Sequence, residues 1–373
     1  MIPFLDLQRE YQNIQAELEP VVQRVLASGQ YILGDEVRVF ELRWAKYCGV
    51  RYGAMVASGT DGLTLALEAS EAIHSGAGDE VITAAHGSPY TALAILRAGA
   101  RPVFADIDAK TWLASPETIE PAITPRTRAI IPVHLYGLVS DMAGIMRLAR
   151  DRNLVVIEDA CQAHGARFQD RGQWRKAGSL GDAAAFSFYP TKNLGCFGDA
   201  GFIATDDEEW MNRARMLAQG GQHERDHTLS AGHNSRGDEL QAAILNCKLA
   251  HLDEWNDRRR KLAGLYRQRL KLPGICFQQV PEAVEPVYHL FVVRHPQRDA
   301  LRAYLRERGI EALIHYPEAV HLQPAFLQPG QPALAEAERV AAEVLSLPLH
   351  PCLSDTQAEE VADTINEFAA VRV

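Results

Sequence analysis

The 373-residue sequence lacks the features that mark a secreted, metal-binding or membrane protein. Its six cysteines are scattered without a C-x-x-C pair or a repeated spacing, which argues against a disulfide framework or a zinc site. The first residues show no basic and apolar secretion signal, and no run approaches the roughly 20 apolar residues of a membrane helix. We therefore expect reduced thiols, no membrane partner and a cytoplasmic location.

Basic residues are also in short supply. Against 48 Asp and Glu the chain has 38 Lys and Arg, a formal net charge of −10. This balance argues against a sequence-independent nucleic-acid binder and against docking on an anionic membrane, although one local site could still hold a small anion. With 47% hydrophobic and 23% charged residues, the chain has the composition of a globular enzyme and the length for two domains.

The common nucleotide and metal motifs are missing as well. The glycines at 195, 198 and 201 do not form G-x-G-x-x-G, and there is no Walker A lysine motif. His223, His227 and His233 lie in a polar segment without supporting cysteines. We interpret these histidines as solvated or facing substrate, and we predict no metal.

Short apolar segments alternate with helical patterns in the first half of the chain. Seven of these segments are typical of strands: Ala54–Ala57, Glu80–Ala85, Pro102–Ala105, Ala129–Leu135, Leu154–Ile157, Ala183–Phe188 and Gly201–Ala204. The alternation predicts an α/β fold with an open, mainly parallel seven-stranded sheet between helices. Ligands of such sheets bind at the carboxyl ends of the strands, so chemistry is sought there.

The pattern changes in the second half of the chain. It predicts one long helix, two strands and three further helices: Gly237–Leu270, Val287–Val293, Ile310–His315, Arg298–Arg308, Leu334–Leu345 and Asp355–Ala369. We interpret this half as a smaller α+β domain. The predicted division is a large domain over residues 1–245 and a small C-terminal domain over residues 246–373.

One lysine, Lys192, stands in the polar turn that follows the apolar run Ala183–Phe188. Desolvation at the end of a buried strand lowers the pKa of a lysine and frees its amine as a nucleophile for carbonyls. A lone lysine after a strand is ordinarily a surface residue. The interpretation therefore depends on what the other strand ends carry.

Two other strand ends carry complementary chemistry. The loop Ala57–Gly62 joins a strand to a helix, and free N–H groups at a helix N-terminus suit a phosphate. In that loop Gly59 permits close approach and Thr60 adds a hydroxyl. Asp159 follows the strand Leu154–Ile157, where it can hold a protonated ring nitrogen or, alternatively, cap the next helix.

An anion loop, a strand-end aspartate and a strand-end lysine together fit a phosphorylated pyridine aldehyde, pyridoxal 5′-phosphate (PLP). The phosphate would lie on the first loop, with Ser187 as a further contact. The ring nitrogen would face Asp159, and the aldehyde would form a Schiff base with Lys192.

The motifs around these residues resemble the PLP-dependent nucleotide-sugar aminotransferases of fold type I over nearly the whole chain. The resemblance rests on nine segments: Ile32–Gly34, Ser58–Asp61, Glu158–Gly165, Gly178–Asp182, Phe186–Gly195, Gly198–Gly201, Gly232–Arg236, Asp238–Ile244 and His315–Pro317. It implies a homodimer with shared active sites, which moves an amino group from L-glutamate to a nucleotide-linked keto-sugar.

The resemblance also implies roles for individual residues. Lys192 is the Schiff-base lysine and the catalytic acid and base. The implied cofactor contacts are Asp159 for the ring nitrogen, Gln162 near the ring hydroxyl, Gly59, Thr60 and Ser187 for the phosphate, and Asn234 of the partner subunit, also for the phosphate. Four residues are candidates for the substrate site: His86, Tyr189, Tyr316 and His321.

One stretch departs from the family pattern. The family has a proline, two residues, a threonine and then an aromatic residue that stacks on the PLP ring. In this chain Ala84–Tyr90 fills the stretch, and Ser88 stands at the aromatic position. His86 or Tyr90 would have to stack instead, or one ring face loses its packing.

The segments Asn234–Gln241 and Leu252–Asn256 resemble members that aminate C-3 of a thymidine-diphosphate (dTDP) 3-keto-6-deoxyhexose. Such deoxyamino sugars occur in lipopolysaccharide O-antigens and in antibiotics. Two alternatives remain in the same class, a 4-keto-hexose and a keto-cyclitol aminotransferase. The related sugar dehydratases have histidine in place of the lysine, so Lys192 argues against them. A non-catalytic PLP-binding regulatory protein is the alternative from another class, and the presence of Lys192, Asp159 and Asn234 argues against it.

Overall fold

A seven-stranded β-sheet forms the centre of the first half of the chain. The computed structural model describes residues 1–74, 76–224, 227–328 and 330–368. The strand order in this sheet is β1-β9-β8-β5-β4-β2-β3. Its members are β1 Tyr52–Val56, β2 Glu80–Ala84, β3 Arg101–Ala105, β4 Thr127–Ile131, β5 Val155–Asp159, β8 Ala183–Ser187 and β9 Gly201–Thr205.

The sheet is parallel except at one strand. β9 runs antiparallel to both of its neighbours, β1 and β8, whereas β2, β3, β4, β5 and β8 pair in parallel. The predicted α/β class and the mainly parallel seven-stranded sheet are thus confirmed.

Helices cover both faces of this sheet. In the first half they are α1 Leu7–Ser28, α2 Asp35–Cys48, α3 Gly59–Ala69, α4 Pro89–Arg97, α5 Pro116–Ile119, α6 Met142–Arg152 and α7 Glu208–Ala218. Because side chains alternate along a strand, Ala184 and Phe186 of β8 face one apolar cluster and Ala183 and Ala185 face the other. Full burial of a side chain such as Phe186 contributes roughly 1.5–3 kcal/mol. β8 is apolar from Ala183 to Phe186 and is therefore fixed between two packed layers, so its carboxyl end at Ser187 has a defined position.

The second half contains a small sheet with the order β12-β14-β15. The remaining helices are α8 Glu239–Lys248, α9 Leu252–Arg269, α10 Arg298–Glu307, α11 Ala335–Glu343 and α12 Asp355–Asn366. The remaining strands are β6 Arg167–Asp170, β7 Gln173–Lys176, β10 Gln222–Glu224, β11 His227–Thr228, β12 Cys276–Phe277, β13 Val284–Glu285, β14 Phe291–Arg294 and β15 Val344–Leu347.

The division at residue 245 stays a prediction. Helix α8 runs through that position, from Glu239 to Lys248. The N-terminal residue Ile2 forms a bridge with Ile310 and packs in the apolar cluster of the C-terminal half. We propose that the small domain begins after α8, near the 3₁₀ turn Leu249–His251.

The predicted bounds were wrong for one strand of the first half and for the long helix that follows it. The strand predicted over Ala129–Leu135 ends at Ile131, because Pro132 has no N–H to continue the ladder. The helix predicted over Gly237–Leu270 is two helices, α8 and α9, separated by a 3₁₀ turn. In both cases the apolar pattern continues past a local interruption of the backbone.

The C-terminal predictions need larger corrections. The strand predicted over Val287–Val293 starts only at Phe291, after Tyr288 adopts a positive φ of 44°. The segment Ile310–His315 forms single bridges instead of a strand. The helix predicted over Leu334–Leu345 ends at Glu343, since Val344–Leu347 pairs with β14. Helix α12 ends at Asn366, and Ala369 lies outside the described residues.

Candidate active site

The lysine loop leaves the carboxyl end of β8. The backbone N–H of Lys192 donates to the carbonyl oxygen of Tyr189 (2.8 Å), and that of Cys196 donates to Phe188 (2.8 Å). A Cβ at Gly195 would lie 2.4 Å from the Pro190 carbonyl oxygen, so only glycine fits this tight turn. The loop geometry is therefore fixed by the backbone on both sides of the lysine.

The Lys192 amine is available for chemistry. Its side chain is half-buried, and within the described residues it has no hydrogen-bond or ion-pair partner. Desolvation lowers the pKa of Lys192, and the nearby Cys161 and Asp159 oppose that shift. A lowered pKa raises the fraction of neutral amine, which is the nucleophilic form.

Asp159 stands at the end of β5, beside β8 in the sheet. It is buried, and its Oδ2 accepts a hydrogen bond from the Thr91 hydroxyl (2.6 Å). Its Oδ1 accepts the backbone N–H of Cys161 (3.2 Å). These two bonds hold the carboxylate in one orientation while leaving it free to accept a further proton donor.

The N-terminus of α3 forms an open anion site. The Ser58 hydroxyl accepts the N–H of Asp61 (3.1 Å), whereas the N–H groups of Gly59 and Thr60 have no acceptor among the described residues. A Cβ at Gly59 would lie 2.8 Å from both Cys161 Sγ and Ser187 Cβ. This glycine therefore brings the anion site against the segments that carry Asp159 and Lys192.

A chain of hydrogen bonds adds residues from the C-terminal half. The Gln162 side chain donates to the Tyr316 hydroxyl (2.9 Å) and accepts the backbone N–H of Tyr136 (2.8 Å). The Tyr136 hydroxyl donates to the carbonyl oxygen of His315 and lies 2.9 Å from His86 Nε2. Burial raises the pKa of Tyr316 to about 12, so its hydroxyl stays protonated.

The departure at Ser88 has a structural counterpart. Ser88 caps α4, and its hydroxyl accepts the backbone N–H of Tyr90 (3.4 Å). Tyr90 is 61% exposed, whereas His86 is buried, lies edge-on to Tyr136 and leaves its Nδ1 without a partner among the described residues. Burial lowers the pKa of His86 to about 3, so its ring is neutral.

These groups fit PLP. The site holds a half-buried amine without a partner, a buried carboxylate and free N–H groups at a helix start. At Gly59, where a phosphate would approach, there is no room for a Cβ. Among the described residues, no group of three or more histidine, cysteine, aspartate or glutamate side chains could hold a metal.

The side chains of four predicted residues make no hydrogen bond to this group among the described residues. Thr60 adjoins Gly59 and is half-buried, and Tyr189 is 51% exposed beside the lysine loop. The side chain of Asn234 is exposed, and the adjacent Ser235 donates to Asp61 Oδ2 (2.8 Å). His321 is buried, and its Nε2 lies 3.1 Å from Glu338 Oε1.

Sequence reasoning missed Thr91 and gave Glu158 no role. The buried Glu158 Oε1 accepts the N–H groups of Leu180 (2.6 Å) and Gly181 (2.8 Å). Its Oε2 accepts the N–H of Gly178 (2.9 Å) and lies 2.9 Å from His134 Nε2. The carboxylate thus fixes the loop that enters β8. The only signal in the sequence was an acidic residue inside an apolar strand, 20 residues before Gly178.

Replacing Glu158 with glutamine is expected to lower the free energy of unfolding by about 3 kcal/mol, because an amide NH₂ would face N–H donors in a buried place. Urea titration at pH 7 measures the change. Glu117→Gln, on the exposed side of α5, is the matched control. A loss below about 1 kcal/mol in Glu158→Gln would contradict this role of the carboxylate.

A second buried chain supports the lysine loop. The Asn193 amide donates to Asn256 Oδ1 (2.8 Å) and to the Val287 carbonyl oxygen (3.0 Å). The Asn256 amide donates to the carbonyl oxygen of His164 (2.8 Å). The Nε2–H of His164 in turn donates to the carbonyl oxygen of Ser187 (2.8 Å). The residue after Lys192 is thereby tied to α9 and to the segment that follows Asp159.

Stability is expected to fall as the pH drops below 6.5. Burial first, and the Lys192 charge second, lower the pKa of His164 to about 3. Between that value and 6.5 the unfolded chain binds the proton and the folded chain does not, so stability rises with pH across this window. From pH 7 to pH 5, His164 alone accounts for a loss of about 2 kcal/mol. Between pH 7 and pH 5 the free energy of unfolding of His164→Gln should fall by about 2 kcal/mol less than that of the wild type. For His223→Gln, at an exposed histidine, it should fall as much as in the wild type.

Comparison with known proteins finds relatives over nearly the whole chain. Residues 12–366 match the model of the DegT/DnrJ/EryC1/StrS aminotransferase family. The chain is 45% identical over 371 residues to dTDP-3-amino-3,4,6-trideoxy-α-D-glucose transaminase of Streptomyces venezuelae, covering 99% of this chain and 96% of that protein. It is 42% identical over 372 residues to a pleiotropic regulatory protein of Geobacillus stearothermophilus, covering 98% of each.

A solved structure gives the same result for the fold. The chain superimposes on DesV of S. venezuelae, crystallised in complex with a ketimine intermediate, with a TM-score of 0.94 and 46% identity over 98% of each chain. Aminotransferases of this family use PLP, the cofactor that the lysine, the aspartate and the helix start fit. Within the described residues no helix has the length and apolar character to cross a membrane. The family match, the identities and the superposition together show that this chain belongs to the DegT/DnrJ/EryC1/StrS aminotransferase family.

Proposed function

We propose that this protein moves the amino group of L-glutamate to C-3 of a dTDP-linked 3-keto-6-deoxyhexose. The observation that carries the catalytic part is the unpartnered, half-buried Lys192 amine beside Asp159 and the open start of α3. The substrate part is supported by the S. venezuelae relative, which is named for a dTDP-linked sugar with an amino group at C-3.

Each residue has a defined role in this proposal. Lys192 would hold the cofactor aldehyde and, at the reacting carbon, would take the α-proton as a base and return it as an acid. Asp159 keeps the ring nitrogen protonated, with Thr91 orienting the carboxylate. Gly59, Thr60 and Ser187 bind the phosphate, and Gln162 faces the ring hydroxyl. When bound, PLP supplies the carbon that carries the amino group and a ring that withdraws electrons.

The reaction has two balanced halves. Glutamate gives up its amino group and leaves as 2-oxoglutarate, whose keto oxygen comes from water. The keto-sugar then accepts that amino group at its carbonyl carbon, and the carbonyl oxygen leaves as water. Lys192 moves a proton between the reacting carbons in both halves, so one residue serves both substrates.

We propose a cytoplasmic homodimer with shared active sites. The exposed Asn234 side chain has no partner among the described residues, which leaves its amide available to a second copy of the chain. In this arrangement Asn234 of the partner subunit completes the phosphate site. Tyr189, His86, Tyr316 and His321 line the path of the sugar, Tyr316 through its contact with Gln162.

Three alternatives are kept, two of them aminotransferases. A 4-keto-hexose or a keto-cyclitol would need the same lysine and aspartate, so the geometry of these groups does not separate them. A non-catalytic regulator is suggested by the name of the G. stearothermophilus relative. The free Lys192 amine favours catalysis, because a protein that only bound PLP would not need an acid and base at the reacting carbon.

The test is the absorbance of the PLP-loaded protein before and after adding dTDP-3-amino-3,6-dideoxyhexose and, separately, its 4-amino isomer, with glutamate as control. Conversion of the cofactor to its amine form by glutamate and by the 3-amino sugar only supports the proposal. Conversion by the 4-amino sugar, or by glutamate alone, overturns the C-3 assignment. No conversion by any of the three overturns the aminotransferase.

A further inference from the structure

Four arginines border a cleft between α6 and the β6–β7 hairpin. Arg147 and Arg150 stand on α6, Arg171 lies at the hairpin turn and Arg175 lies on β7. The cleft has a volume of about 410 Å³, which is within the size of small-molecule sites. None of the residues proposed above for the cofactor or the sugar lines it.

The arginines of this cleft differ from others close to it. In the described part of the chain, Arg147, Arg171 and Arg175 have neither a hydrogen-bond nor an ion-pair partner. By contrast, Arg152 of the same helix pairs with Glu120 (2.9 Å). Guanidinium groups left without carboxylate partners can bind an external anion.

The charge of the cleft is positive in an acidic protein. Asp170 is the one acidic residue among the described residues that line it. Arg150 also acts on nearby Asp182: burial raises the pKa of Asp182 and the arginine charge opposes that shift. Four arginines against one lining aspartate give a local positive field in a chain of net charge −10.

The rest of the cleft is apolar. Its remaining lining includes Met142, Met146, Phe168 and Leu180. Phe168 and Leu180 are buried in the core, so their exposed edges have fixed positions. An apolar floor between cationic walls suits a ligand with one flat ring and one anionic end.

We propose that this arginine cleft is a second site, outside the active site, that binds a nucleoside diphosphate. Guanidinium groups bind phosphate oxygens in pairs, and arginines on two facing elements can hold both phosphates. The base would lie on the methionine and phenylalanine floor. The proposal does not rest on the catalytic assignment, since it uses none of the same residues.

The test is calorimetric titration of the PLP-loaded protein with dTDP, UDP and inorganic pyrophosphate. The key variant is Arg147→Gln/Arg175→Gln, which removes one exposed arginine from each wall. The matched control is Lys271→Gln/Arg306→Gln, which removes two exposed cations of the C-terminal half that have no partner in the described residues. Met146→Gln tests the floor, and transaminase kcat and KM are measured in all variants.

For the wild type and the control we expect a nucleotide-binding event in addition to binding at the active site. In Arg147→Gln/Arg175→Gln this additional event should be at least tenfold weaker, while kcat and KM stay within twofold of the wild type. Met146→Gln should weaken dTDP or UDP binding and leave pyrophosphate binding unchanged. Identical isotherms for the wild type and the arginine variant overturn the site. An equal loss in the control shows a general charge effect and also overturns it. Pyrophosphate binding as tightly as the nucleotides overturns the role of the base.

Discussion

Lys192→Ala is expected to lower kcat by roughly 10⁴-fold or more, while PLP still binds. The amine is the group placed to serve as base and acid at the reacting carbon. Among the described residues, Lys192 has no hydrogen-bond or ion-pair partner that could take over the proton transfer. The phosphate site at α3 and the Asp159 carboxylate remain, so the cofactor should be retained without its covalent bond. Conversion of 2-oxoglutarate and dTDP-3-amino sugar to glutamate measures the rate, and equilibrium dialysis measures PLP binding.

Two controls make the Lys192 result interpretable. Lys110→Ala removes an exposed lysine and should leave kcat within about twofold. A small primary amine added to Lys192→Ala should restore part of the activity, because it supplies the missing base. Activity of Lys192→Ala within tenfold of the wild type, without added amine, would end the proposed role.

The second large effect is expected for Asp159→Asn, which should lower kcat by roughly 10²–10³-fold. An amide cannot stabilise a positive charge on the ring nitrogen, so the ring loses its proton and withdraws electrons less. Asparagine is isosteric: its amide oxygen can accept the Cys161 N–H, and its NH₂ can donate to the Thr91 hydroxyl, so we expect the fold and PLP binding to persist. Stopped-flow absorbance with glutamate isolates the proton-transfer step.

Asp182→Asn is the matched control for Asp159. Asp182 precedes β8, and its Oδ2 accepts the backbone N–H of Val156 (2.8 Å), a bond that asparagine can keep. The Asp182→Asn variant should carry out the proton-transfer step with glutamate at the wild-type rate. A rate in Asp159→Asn within about fivefold of the wild type would argue against the pairing with the ring nitrogen.

Much of the site was predictable because strand ends are local features of the sequence. The apolar run before Lys192, the run before Asp159 and the glycine loop before α3 each predicted a strand that ends at a polar turn. Parallel strands bring their carboxyl ends to one edge, so three segments far apart in sequence were expected to meet. The structure places Gly59 against both other segments.

The C-terminal half was predicted less well because its elements depend on distant partners. Val344–Leu347 has an apolar pattern that continues helix α11, yet it pairs with β14. Ile310–His315 has the composition of a strand but finds only single bridges. Apolar periodicity reports burial, and burial alone does not separate a helix end from a short strand.

The sequence by itself determined the fold class, the cofactor chemistry and the positions of Lys192 and Asp159, because each follows from a local pattern of apolar runs and turns. Only the tertiary structure decided that Thr91 donates to Asp159 from 68 residues away and that Gln162 binds Tyr316 across 154 residues. It also decided that one side of α6 and a hairpin form an arginine cleft. Hydrogen bonds and clefts depend on the direction of side chains across packed elements, and that direction is set by packing and register rather than by local sequence.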